Sequence, residues 1–144
     1  MLTAEDIEAF CEELEASRRP PLTVPQMVEI FAETMRQEKN PEMSRKLIAE
    51  EYFEWRDELQ GLGGKNALGY SYKPDFELKE LADLVYVIYG YARARGWDLD
   101  EAVRRVHKNN IGRCVWPDGG VKYRADGKVL RNPNAPKIDL SDLT

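Results

Sequence analysis

Lys79-Glu80-Leu81-Ala82-Asp83-Leu84-Val85-Tyr86-Val87-Ile88, residues 79–88, decides the reading of this chain. From Leu81 onward the stretch is apolar nearly all round, which predicts the central helix of a bundle, and Glu80 and Asp83 lie one turn apart on a single face. An isolated carboxylate in such surroundings costs about several kcal/mol or takes up a proton, so Asp83 needs partners or a metal. The neighbouring acidic helix offers them. Glu50, Glu51 and Glu54 fall within an arc of roughly 100°. Alone they would read as a solvated face, because Asp57 and Glu58 continue the acidity. Converging on Asp83 and Glu80, they form a group of like charges that repel one another unless a divalent cation neutralises them. Oxygen-only ligands select a hard ion, Mg2+ first and Mn2+ second.

Outward from this pair of helices, the first two thirds of the chain carry helix signals. Thr3 and Asp6 resemble a capping box opening a helix to about Ser17, which Arg18-Arg19-Pro20-Pro21 then breaks. A second helix opens near Pro25, with Val28, Phe31, Ala32 and Met35 on one face. Asn40 caps a third, with Pro41 in its first position, and this helix runs to about Gln60 before Gly61-Leu62-Gly63-Gly64. After a loop from Lys65 to Pro74, Asp75 is the expected cap of a fourth helix reaching Arg95, with Gly96 as its stop. Asp98 and Glu101 form a box for a fifth helix ending near Ile111 and Gly112. Beyond it, Val121, Tyr123 and Val129 flank an Asp126-Gly127 turn that permits a small hairpin, and Pro133 and Pro136 imply an extended tail. The expected fold is therefore an all-α bundle of four to five helices over residues 1–113, with residues 114–144 as a basic, irregular extension of the same domain.

Composition narrows the chemistry. The 144 residues suit one domain. Cys11 and Cys114 lack metal-knuckle spacing, so reduced thiols are expected. A single histidine, His107, rules out His-rich metal centres, His/Asp hydrolases and Glu-x-x-His di-iron bundles. The net charge of -5 conceals a segregation: residues 104–137 hold nine Lys/Arg and two Asp, a balance of +7 that leaves -12 elsewhere. The acidic start, Met1 to Glu15, and the short apolar run Leu84 to Ala92 predict neither signal nor membrane span, hence a cytoplasmic protein. No recognition-helix or RNP pattern accompanies the basic tail, so a mononucleotide is a better match for it than a nucleic acid polymer.

Glu50-Glu51-x-x-Glu54 followed by Glu80-x-x-Asp83 resembles the EExxE…ExxD signature of the all-α nucleoside triphosphate pyrophosphatases, the MazG-like and phosphoribosyl-ATP pyrophosphohydrolase-like group. The similarity runs from about Met27 to Arg131. It includes Gly96-Trp97-Asp98-Leu99 and Val106-His107-Lys108-Asn109-Asn110-Ile111-Gly112-Arg113, while Asp126-Gly127-Lys128-Val129-Leu130-Arg131 is similar to a tail element of the short, single-domain, phage-type branch. The resemblance implies hydrolysis of a nucleoside triphosphate between its α and β phosphates to monophosphate and pyrophosphate. It implies Glu51, Glu54, Glu80 and Asp83 as direct Mg2+ ligands, and Glu50 as a further ligand or as the catalytic base orienting water. It also implies Lys108, Asn110 and Arg113 as phosphate-binding groups, with Arg113 standing where the family often has Lys. Phage enzymes of this branch point toward a purine deoxynucleotide such as dGTP. A homodimer or dimer-based tetramer is expected, because the fourth helix leaves too much apolar surface for a monomer. The competing readings are a phosphoribosyl-ATP pyrophosphohydrolase and a non-enzymatic helical adaptor with incidental acids. His107 is assigned no catalytic role. Trp55, Tyr86, Tyr89 and Tyr91 are assigned to core or interface, and Trp116, Tyr70 and Tyr72 are candidates for stacking on a base.

Overall fold

The computed structural model describes residues 20–60 and 72–144, together with Thr3, Glu5, Glu8 and Ala9. Four helices are described in full, α1 (Val24–Thr34), α2 (Pro41–Leu59), α3 (Pro74–Arg95) and α4 (Leu99–Cys114), followed by a 3-10 turn at Ser141–Leu143. The described residues form no strand, so the fold is all-α, and no described helix is long and apolar enough to cross a membrane. Most of the helix expected from Thr3 to Ser17, the Gly61–Gly64 stop and most of the loop after it lie outside the described residues.

Local chemistry sets the helix ends. Asn40 accepts from the Met43 backbone N–H at 3.0 Å, with Pro41 opening α2 as expected. Thr23 and Gln26 cap α1 reciprocally, so the start expected near Pro25 is set by this box together with the proline. Asp75 does not cap α3. Lys73 holds the cap position without a side-chain hydrogen bond, and Pro74, whose fixed φ suits the first helical position, starts the helix; Asp75 falls in its first turn. Gly96, at φ 74°, ends α3 in the left-handed region that glycine adopts without steric cost. Asp98 accepts from Glu101 N–H at 2.9 Å, but the Glu101 carboxylate turns to Arg104 and Arg105 instead of completing the box. Helix α4 runs through Gly112 to Cys114, past the expected end.

Helix α3 is the hub. It packs along α2 and, less extensively, against α1, while α4 makes no comparable helix-to-helix packing among the described residues. Phe31 of α1 meets Tyr86 of α3 edge-on at 5.9 Å, and Arg93 grips Glu29 through two hydrogen bonds of 2.6 and 3.2 Å. Tyr89 donates to Asp100 at 2.6 Å and Tyr91 meets Trp97 edge-on, which fixes the turn between α3 and α4. Among the described residues, only Val28, Ala32 and Ala92 form the buried apolar core.

The expected hairpin contracts to one antiparallel bridge between Tyr123 and Val129 around Gly127, which has φ 84°. The tail then returns along α4. Asn132 N–H donates to Arg113 O at 2.7 Å, Asn109 Nδ2 donates to Pro136 O at 3.1 Å, and Arg105 forks onto both Asp142 oxygens at 2.6 and 2.8 Å. Arg105 holds the Asp142 carboxyl below its ordinary range. A lowered carboxylate pKa means the clamp is complete above the ordinary Asp value and is lost as pH falls through the lowered one. Asp142→Asn is therefore expected to shift the Arg105 guanidinium NMR signals at neutral pH and to speed exchange of the Leu143 amide. Wild-type signals should approach the variant's only in acid.

Candidate metal and nucleotide site

Helices α2 and α3 place their acidic faces against each other. Glu51 and Glu54, one turn apart on α2, and Glu80 on α3 bring carboxylate oxygens within 4.8 Å of one another. Burial first, then the charges of Glu54, Asp83 and Glu80, pushes the Glu51 carboxyl above its ordinary value. Glu80 is enclosed as well, its side chain being 12% exposed. Its Oε2 is buried and has no hydrogen-bond partner.

Asp83 differs from its expected place in the bundle centre. Its side chain is 41% exposed, and it pairs with Lys79 Nζ at 2.8 Å. The apolar run around it is shared among several sides of α3, with Leu81 and Val85 themselves exposed, so Asp83 sits at the rim of the α2/α3 seam. Lys79 also reaches Glu80 Oε1 at 3.1 Å. These hydrogen bonds, to Asp83 first and Glu80 second, raise the Lys79 pKa and keep it charged. Lys79 carries no role in the sequence-based expectations, although its i,i+4 spacing to Asp83 is a visible signal.

The remaining candidates are dispersed. Glu50 is exposed on α2 and is not part of the three-acid group. Lys108 and Arg113 line a groove of about 340 Å³ with Arg105, Gly112, Pro136 and Ile138, on the helix that packs least with the others. Asn110 is on the same helix outside that lining. Trp116 is covered by Lys122, whose Nζ lies 4.0 Å from the ring centre, and Tyr72 donates to Glu77; Tyr70 lies outside the described residues.

A cavity of about 270 Å³ opens beside the acids, among α1, α2 and α3. Glu51 and Asp83 form part of its wall, with Phe31, Leu47, Tyr86 and Val87 as apolar lining and Gln37, Glu38 and Ser44 as polar groups. Its residues come from three helices and the connection between α1 and α2, so no local motif announces it.

Residues 24–110 match the family described as phosphoribosyl-ATP pyrophosphohydrolase. The chain belongs to that family. The matched region spans α1, α2, α3 and most of α4, and includes all five candidate acids together with Lys108 and Asn110. Arg113 lies just beyond it. No curated protein matches the chain. Family membership supports a nucleotide pyrophosphohydrolase type of activity, and such enzymes typically depend on a divalent metal.

The donor set fits a hard divalent ion: every donor is a carboxylate oxygen, Glu80 keeps one buried oxygen unpaired, and the acids are close enough to repel. Glu51→Gln removes part of that repulsion while keeping the shape. Without divalent ions the variant is expected to melt about 1–3 °C above wild type, and with Mg2+ wild type should gain stability that the variant lacks. Differential scanning fluorimetry with EDTA and with Mg2+ checks both halves.

Proposed function

We propose that this chain is a Mg2+-dependent nucleoside triphosphate pyrophosphohydrolase. Water adds at the α phosphate and the α–β anhydride breaks, giving a nucleoside monophosphate, pyrophosphate and a proton. The observation that supports this reading is the cavity of about 270 Å³ walled by Glu51 and Asp83, which adjoins the only cluster of three potential metal ligands among the described residues and which we assign to the nucleoside. Glu51, Glu54, Glu80 and Asp83 would hold the ion, with Mn2+ as a substitute. When bound, it supplies neutralisation of phosphate charge and acidification of the attacking water.

The protein's own groups do the rest. Glu50, next to the ligands and exposed, is the proposed base that receives the water's proton, with a second role as a ligand open to it. Lys108, Asn110 and Arg113 bind phosphate. Phe31 and Tyr86 offer apolar faces to the base and sugar. Glu38 and Gln37 favour guanine, because a carboxylate accepts from its N1–H and N2–H2 donors while an amide donates to O6. The proposed substrate is accordingly a purine deoxynucleotide such as dGTP.

Incubation with the eight common nucleotides and with phosphoribosyl-ATP, in the presence of Mg2+, tests this by product analysis. The expected result is pyrophosphate with monophosphate, fastest from dGTP. Glu54→Ala and Asp83→Ala should each lower the rate by about 100-fold or more, and Glu38→Ala should reduce the guanine preference by about tenfold. Absence of pyrophosphate would sink the enzymatic reading. Preference for phosphoribosyl-ATP would favour the competing phosphoribosyl-ATP pyrophosphohydrolase reading, and preference for dUTP or dCTP would overturn the guanine assignment alone.

We also propose that a second copy covers the exposed apolar faces, Leu78, Leu81 and Val85 on α3 and Val103, Val106 and Ile111 on α4. Among the described residues only three apolar side chains are buried, while these large apolar groups are left open to solvent, a pattern that a protein–protein contact accounts for. Bringing α4 of a partner against these faces would also bring cationic groups toward the acids. Light scattering is expected to give the mass of a dimer or a dimer-based tetramer; a monomeric mass contradicts it.

A further inference from the structure

Lys79 occupies an unusual position for a surface lysine. Its Nζ contacts Asp83 Oδ2 at 2.8 Å and Glu80 Oε1 at 3.1 Å, so one ammonium serves two acids of the site at once. Its charge is also felt at Glu51, where it opposes the repulsion of the other three carboxylates. Helix stability does not account for the arrangement: exposed ion pairs contribute little, and lysine N-terminal to its acid at i,i+4 is the weaker orientation. The need comes instead from Glu80. A carboxylate that enclosed requires a counter-charge, and Lys79 is the one basic side chain paired with it among the described residues. Lys79 nevertheless leaves Glu80 Oε2 buried and without a partner. One ammonium thus satisfies the acids only in part.

We propose that Lys79 is a built-in counter-cation that holds Glu80 and Asp83 in the metal-free protein and that a divalent ion must displace to bind. The inference rests on the metal site proposed above and assigns a function to a residue outside its ligand set. Lys79 is free to leave, because its side chain is 63% exposed and swings into solvent at little cost. A divalent ion brings twice the charge to the same oxygens and can also take the acids that Lys79 does not touch. The affinity of the site is therefore set by competition between ion and ammonium. The metal-free protein in turn avoids the full repulsion of its acids.

Calorimetric titration of Mn2+ into nucleotide-free wild type, Lys79→Met and Lys79→Arg tests the proposal. Lys79→Met is expected to bind Mn2+ about fivefold more tightly than wild type, and Lys79→Arg, which keeps the charge, to stay within about twofold. Acetylation of Lys79 by acetic anhydride, followed by peptide mass spectrometry, should accelerate when Mn2+ is added to wild type. Unchanged or weaker binding by Lys79→Met, or acetylation insensitive to Mn2+, overturns the role of Lys79 and leaves the metal site standing. Failure of wild type to bind Mn2+ overturns both.

Discussion

Repulsion among carboxylates in the α2/α3 seam is the constraint around which the described structure is arranged. Glu51, Glu54 and Glu80 approach within 4.8 Å, with Asp83 close enough to add to the rise in the Glu51 pKa. In a protein selected only for stability, such a seam would be apolar, since like charges at this spacing destabilise the folded state and burial strengthens the effect. Its persistence along the most extensively packed pair of helices makes sense when a cation completes it. Lys79 supplies a partial remedy within the chain, and a divalent ion would supply a complete one.

The other elements follow from holding that seam in place. Helix α1 leans on α3 through Phe31, Tyr86 and the Arg93–Glu29 pair, and in doing so encloses the cavity beside the acids. The tail braces α4 through Arg105 and Asp142, keeping Lys108 and Arg113 along one groove. Charge is divided between the two parts: the seam concentrates negative charge where a cation would sit, and α4 with its tail concentrates positive charge suited to phosphates. A phosphate-bearing substrate with its metal would use both, in line with the function proposed above.

Much of the helical plan was legible in the sequence because caps are local. Asn40-Pro41, Asp98 and Gly96 each act through hydrogen bonds or backbone preferences within a few residues, and each is found where its type implies. Asp75 misled because two start signals adjoin, and the proline outranked the aspartate. The acid pair Glu51 and Glu54 with Glu80 was legible from helical spacing on two faces. The environment of Asp83 was not, since an apolar stretch does not say which of its sides meets another helix, and Lys79 was overlooked as its partner. Positions set by tertiary packing had no local signal at all. The cavity needs Phe31, Leu47 and Tyr86 to converge from three helices, and the separation of α4 from the packed helices depends on contacts that residue type does not encode.

The most direct test of the metal seam is anomalous diffraction from crystals of the protein grown with Mn2+. The expected result is an anomalous peak between α2 and α3, within coordination distance of Glu51, Glu54, Glu80 and Asp83 and with Lys79 turned away from them. Well-ordered crystals with full-strength Mn2+ in solution and no peak in that seam, or a peak bound only elsewhere, would contradict the assignment.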